Sequence, residues 1–342
     1  MKKMNGRERI QAVLEGRWPD KRPVMLHNFM LAAREAGMTM KEYYSDGKKA
    51  ARAHIMAVEK YQLDGVLLDI DTAVLAHAVG VPVDFPEDEP ARVHEPCLLS
   101  LEQVKDLAPP DITNDVRIQV ALEAARELKR YFGDEVFIRG NCDQAPFSLA
   151  SMMRTPAEWM MDIMMDPEHS FLLLDYCLDA CLQFIRLMAA EGVHMISNGD
   201  SPAGPEMISR DLYRQYALPY EKKLVEYSHQ LGLPYMNHIC GNTDLILEDM
   251  LETGLDAMEI DYKTDLYKVH ALYKDRMVLS GTIDPSGVIA LGTPAMVEEK
   301  AREILELYKD SPRLIMNAGC AIPPNTPEAN IRRLIEVTRS YL

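Results

Sequence analysis

The chain has 342 residues, 47% hydrophobic and 26% charged, with 37 lysines and arginines against 53 aspartates and glutamates for a net charge of −16. That content supplies a large core and excludes a wholly disordered chain; one large α/β domain or two smaller ones would fit. No Lys/Arg cluster marks a nucleic-acid face, no apolar run reaches the roughly 18 residues of a membrane span, and six cysteines are too sparse for a disulfide framework.

The first stretch, MKKMNGRERIQAVLEGRWPDKRP, lacks the apolar run of an export signal and reads as a short amphipathic helix. Reduced thiols in a cytoplasm are therefore expected. Eight short β-rich apolar runs then alternate with helical stretches: 24–29, 65–71, 135–142, 193–200, 233–240, 257–261, 277–284 and 313–320. Strands alternating with helices imply parallel pairing, and eight such units point to a (β/α)8 TIM barrel with a short N-terminal helical extension. A doubly wound open sheet is the alternative, but no Gly-x-Gly-x-x-Gly follows the first run. The Pro-rich segment 81–111 breaks the rhythm and reads as a hairpin-bearing insertion after the second strand. No linker divides the chain, so residues 1–342 read as one domain. The Met-rich stretch 152–167 reads first as a core helix, with an adaptable apolar lid or docking face as the alternative.

Each strand begins apolar and ends polar. The ends carry His27 and Asn28, Asp69 and Asp71, Asn141 and Asp143, Asn198 and Asp200, Asn237 to Cys240, Asp261, Asp284, and Asn317 to Cys320. In a (β/α)8 barrel these ends surround one mouth, where active sites sit. Any single Asp or Asn there is equally a helix cap or turn residue, but capping does not call for His and Cys. His238 and Cys240 lie at i and i+2 on one strand and face the same way. Cys320 ends another strand. Two thiolates and one imidazole suit Zn²⁺ and leave a fourth position open; the plain alternative is a buried cysteine beside a polar histidine. Cys177 and Cys181 read as core, and Cys142 as a reserve site residue.

With two thiolates cancelling the metal charge, a third thiolate from a substrate can bind deprotonated and remain nucleophilic, which favours methyl transfer. The open position could also hold an ether, alcohol or amine. Neither direction of transfer follows from the ligand set.

Several motifs carry a resemblance. GNCDQAPFSLASMMR (140–154), NGDSPAGPEMISRDLYRQYALPY (198–220), HICGN (238–242), GTIDP (281–285) and NAGCAIPPNTPEAN (317–330) together resemble the uroporphyrinogen decarboxylase superfamily, over nearly the whole chain. That superfamily includes zinc-dependent methyltransferases of corrinoid systems. The decarboxylases keep near-N-terminal arginines for porphyrinogen carboxylates, where this chain reads LHNFMLAAREAG with only Arg34. They keep a histidine where this chain has Cys320. The resemblance is thus to the methyltransferase branch. It implies a zinc site of His238, Cys240 and Cys320. The fourth ligand is unassigned: Glu206, which reads equally as a surface carboxylate in a loop, and water are the candidates. It also implies a corrinoid-binding partner protein, and a thiol such as coenzyme M or a methyl ether, methanol or methylamine as the small substrate. Asp71 falls where decarboxylases keep their central aspartate. A decarboxylase of a carboxylated substrate and a non-catalytic tetrapyrrole- or corrinoid-binding protein are the alternatives. A homodimer is compatible with the sequence, which does not choose an oligomeric state.

Overall fold

The structure is a computed structural model that describes residues 3–341. Its strands are β1 (Gly65–Leu68), β2 (Val83–Asp84), β3 (Arg92–Val93), β4 (Phe137–Gln144), β5 (Met195–Gly199), β6 (Tyr235–Ile239), β7 (Ala257–Ile260), β8 (Val278–Ile283) and β9 (Leu314–Ala318). Seven form one parallel sheet in the order β1-β4-β5-β6-β7-β8-β9, which curls as a TIM-like fold. β2 and β3 pair antiparallel, so the insertion does carry a short hairpin.

The first expected strand, 24–29, is not one. It keeps a single parallel bridge, Val24 to Met316. Met25 N–H donates to the Met316 carbonyl, Met316 N–H to that of Pro23, and Asp64 N–H to that of Val24. Two further amides find side chains instead: Val24 N–H donates to Asp64 Oδ2 at 2.8 Å and His27 N–H to Asn317 Oδ1 at 2.9 Å. Pro23 has no N–H to give, and helix Phe29–Glu35 begins at the segment's last residue. The segment is tied in between β9 and β1 without a continuous ladder.

Helices cover the outside of the sheet. Helix Val116–Phe132 illustrates why they form. Asp115 caps it by accepting from Arg117 and Ile118 N–H, and Ile118, Ala121, Leu122, Ala125 and Leu128 fall on its buried stripe. Within residues 152–167 the expectation of a core helix is half met. Met153 and Trp159 are fully buried, yet Met161, Met164 and Met165 are exposed. No described helix is long and apolar enough to cross a membrane.

The interior is layered. Met25, Phe137, Met195, Met236, Ala257, Val278 and Ile315, from the start of their segments, form one apolar cluster with Ile10 and Val13 of helix Gly6–Leu14. The N-terminal helix therefore plugs the lower end. Two residues further along each segment, on the same face, stand His27, Arg139, Ser197, His238, Glu259, Ser280 and Asn317. An apolar plug thus carries a largely polar layer, in which Leu67 of β1 lies in register with Arg139, and that layer is the floor of the mouth.

Candidate metal centre

Strand β6 ends in His238 and Ile239, and its last residues lead into Cys240. Cys320 follows β9 by two residues. The His238 Nε2 to Cys240 Sγ distance is 2.9 Å and Cys240 Sγ lies 3.5 Å from Cys320 Sγ. All three ligand atoms fall within 4.8 Å of one another, close enough to hold one metal ion. Tetrahedral zinc with bonds of the usual length separates two sulfurs by about 3.8 Å, so the sulfurs need only slight adjustment. Both cysteines are half-buried, which leaves one side of the cluster reachable from solvent.

Surrounding groups aim the ligands. His238 Nδ1 lies 3.1 Å from the Glu259 carbonyl. Donation there fixes the tautomer and leaves Nε2 free for a metal. Cys240 N–H donates to Ser201 Oγ at 3.1 Å. Gly241 follows at φ +88°, where a Cβ would lie 2.7 Å from Glu206 Cδ; glycine alone fits this turn. Without a metal the two thiols share one proton. The Cys320 S–H and the neighbouring imidazole hold Cys240 far below an ordinary thiol, and the Cys240 thiolate and burial push Cys320 up. Burial disfavours a charged His238, but the Cys240 thiolate and Glu259 outweigh it and raise its pKa to about 9.

Beneath the cluster the polar layer closes into a ring. His27 places Nδ1 2.9 Å from Glu259 Oε1 and Nε2 2.9 Å from Asp69 Oδ2. Asn141 donates to Asp69 Oδ1 at 3.0 Å and accepts from Ser197 Oγ at 3.2 Å. Arg139 donates to Ser197 Oγ at 2.8 Å and pairs with Glu259. Burial alone would neutralise His27, yet Glu259 and Asp69 raise its pKa to about 9. Burial likewise opposes a charged Glu259, but Arg139 and His27 hold it well below the ordinary carboxylate range. The His27 and His238 rings stand edge-on with centroids 6.4 Å apart, so the ring adjoins the cluster.

Other expected mouth residues do structural work. Asp71 accepts from Ala73 N–H at 2.9 Å and pairs with Arg117. Asp143 accepts from Leu75 N–H, and burial pushes its pKa well above the ordinary carboxylate value. Asp284 caps the segment after β8 by accepting from Ser286 and Gly287 N–H. Asn198 holds the Cys142 and Gln144 carbonyls. Asp200 accepts from Ser148 and, like Glu221 beside it, is raised by burial. Asn237 braces Glu221 and accepts from His238 N–H. Asn28 is buried with its Nδ2 unpartnered. Cys142 is fully buried in the core. Glu206 stays outside the three-residue cluster. Asn242 N–H and Lys263 Nζ hold its carboxylate, at 3.2 and 3.3 Å. Sequence reasoning missed Arg139, Ser197 and Glu259; their signal was a charged or hydroxyl residue in mid-strand.

With this geometry in hand, comparison with known proteins is informative. Residues 5–341 match the family model described as uroporphyrinogen decarboxylase (URO-D). The chain belongs to that family. This chain is 31% identical to the methylcobamide:CoM methyltransferase MtbA of Methanosarcina acetivorans, a match covering 67% of this chain and 65% of that protein. The methylcobamide:CoM methyltransferase MtaA of Methanosarcina barkeri is 26% identical, with 97% of each chain covered. The uroporphyrinogen decarboxylase of Gloeobacter violaceus is also 26% identical, covering 90% of this chain and 91% of the other. Among solved structures, a methyltransferase from Methanosarcina mazei superposes with a TM-score of 0.90 at 23% identity, covering 99% of both chains, and shares the fold.

Proposed function

We propose that this member of the uroporphyrinogen decarboxylase family is a cytoplasmic zinc-dependent methyltransferase. It moves a methyl group between a corrinoid carried by a partner protein and a small thiol or methyl donor. The observation that carries the reading is the convergence of His238, Cys240 and Cys320 at the open end of the sheet. The names of the methylcobamide:CoM relatives support it. In the same reading the segment 23–27, bonded to Met316 and Asp64, is the eighth stave that closes the barrel.

The ligand set fits zinc: two soft thiolates and an imidazole, with His238 already oriented through its other nitrogen. Bound there, zinc supplies a site at which a thiol ionises at neutral pH and keeps its nucleophilicity. The protein's own residues do the rest. Glu259 fixes the His238 ring, Ser201 fixes the Cys240 turn, and the polar ring below holds the floor rigid. Two half-buried cysteines face the opening through which a methyl carrier must approach. The ligand set does not fix the direction of transfer, and its chemistry leans only slightly towards a thiol acceptor.

Decarboxylation of a tetrapyrrole fits less well. Its carboxylates need free guanidinium groups, whereas Arg139 and Arg117 are committed to Glu259 and Asp71.

Metal analysis and turnover test the reading together. Purified protein is expected to hold about one zinc per chain, bound through three protein ligands, and to demethylate methylcobalamin with a thiol, read as cob(I)alamin absorbance. Less than about half an equivalent of zinc, unchanged by Cys320→Ser, sinks the metal assignment. Methylcobalamin formed from a methyl ether, with no thiol accepted, reverses the direction.

A further inference from the structure

The charged groups around the candidate metal centre form a pattern that the methyltransferase reading does not use. In the floor ring, His27 is held at both nitrogens by Glu259 and Asp69, and Arg139 is held by Glu259 and Ser197. Arg117, behind Asp69, is paired with Asp71. On the rim, Lys263 is paired with Glu206, on the turn that follows Cys240. Asp261 accepts from Gly241 and Lys263 N–H, at 2.8 and 3.0 Å, and its Cα lies against Gly319, next to Cys320. Among the described residues near the cluster, each basic side chain is thus committed to a carboxylate, while Asp261 has only backbone amides. The two thiolates bring no positive surplus, since they cancel the charge of a divalent ion.

We propose that the small co-substrate of this mouth is a thiol or methyl donor whose non-reacting end is uncharged or cationic. This rests on the methyltransferase reading and specifies its substrate class. A sulfonate or carboxylate tail within the mouth would meet the unpaired carboxylate of Asp261 and, among the described residues near the cluster, no unpaired ammonium or guanidinium to receive it. Like charges placed there repel, most strongly at low ionic strength. An alcohol or ammonium tail suffers no such repulsion.

Three thiols of similar length test this: 2-mercaptoethanol, cysteamine and 2-mercaptoethanesulfonate. Binding to the cobalt(II)-substituted protein is read from the thiolate-to-cobalt charge-transfer band, which needs no turnover. The sulfonated thiol is expected to bind at least about tenfold more weakly than 2-mercaptoethanol at low salt, with the gap shrinking as ionic strength rises. Glu206→Gln, on an exposed side chain, releases Lys263 and is expected to narrow the gap by about threefold. Equal or tighter binding of the sulfonated thiol at low salt overturns the proposal, as does a gap indifferent to both salt and Glu206→Gln. The expected order without methyl transfer to or from methylcobalamin removes the methyltransferase reading and leaves the mouth's charge selectivity standing. Methyl transfer with the sulfonated thiol preferred does the opposite. A protein that takes up no cobalt or zinc removes both.

Discussion

At the scale of single residues, the candidate centre is a proton store as well as a ligand set. Without metal, Cys240 is held as thiolate, Cys320 keeps its proton, and His238 keeps its own up to a pKa of about 9. Zinc at pH 7 must therefore displace about two protons, one from Cys320 and one from His238. Affinity should rise about a hundredfold per pH unit near neutrality and less steeply as pH nears 9. Calorimetry in buffers of different ionisation enthalpy counts those protons, and a count near zero contradicts the assignment. Cys320→Ser should weaken zinc binding by more than the 10–100-fold typical of losing an outer partner. Glu259 tests the floor. Its carboxylate neutralises Arg139, which is 2% exposed. Glu259→Gln should cost about 3–5 kcal/mol in urea unfolding, because it strands a buried cation. Adding Arg139→Gln should restore part of that.

At the scale of elements, helix Gly47–Tyr61 supports the site from behind. Tyr43 O–H donates to the Asp69 carbonyl at 2.6 Å, so the hydroxyl must accept from His54 Nε2, 2.8 Å away. Burial keeps His54 neutral and lowers its pKa to about 4. In the unfolded chain it titrates near 6.5. Its neutral form thus stabilises the fold fully above pH 6.5, and that contribution, at most about 3 kcal/mol, is lost as pH falls from 6.5 towards 4. His54→Gln should flatten the stability profile in that window; an unchanged slope would assign the acid limb to other groups. The elements also show what the sequence could tell. Strand–helix alternation located all seven strands of the main sheet, and the polar strand ends picked out the three residues that converge as the His-Cys-Cys cluster. Segment 24–29 misled because its apolar residues face a core while side chains of Asp64 and Asn317 replace its ladder. Arg139 and Glu259 were hidden for another reason. Strands buried on both faces read as continuous apolar runs, so alternation does not separate the inside of a barrel from its outside. Their direct pairing spans 120 residues, a distance that local pattern does not bridge. The Met-rich segment divides the same way. Trp159 is fully buried with its ring 5.5 Å from Phe147, and Trp159→Ala should cost about 3–5 kcal/mol. Met164→Gln, on the exposed face, should stay within about 0.5 kcal/mol.

At the scale of the whole molecule, the chain is a stack: a helical plug, an apolar layer, a polar ring and a ligand cluster whose members lie 80 residues apart in sequence. Metal binding should therefore be felt as global stability. A ligand that binds only the folded state adds about 2.7 kcal/mol when free at a hundred times its dissociation constant. Unfolding entropy of about 2.1 cal/mol/K per residue gives about 0.7 kcal/mol/K for 342 residues. Zinc at that excess should raise the melting temperature by about 4 °C. The direction is fixed because β6 and β9, joined through Cys240 and Cys320, must part on unfolding and release the ion. Chelation should reverse the shift, Cys320→Ser should abolish it, and Cys142→Ser, in the core away from the cluster, should keep it while lowering the baseline. Scanning calorimetry of the three proteins with and without zinc decides the matter. An equal shift in Cys320→Ser would mean that zinc stabilises the fold from somewhere other than the His238, Cys240 and Cys320 cluster.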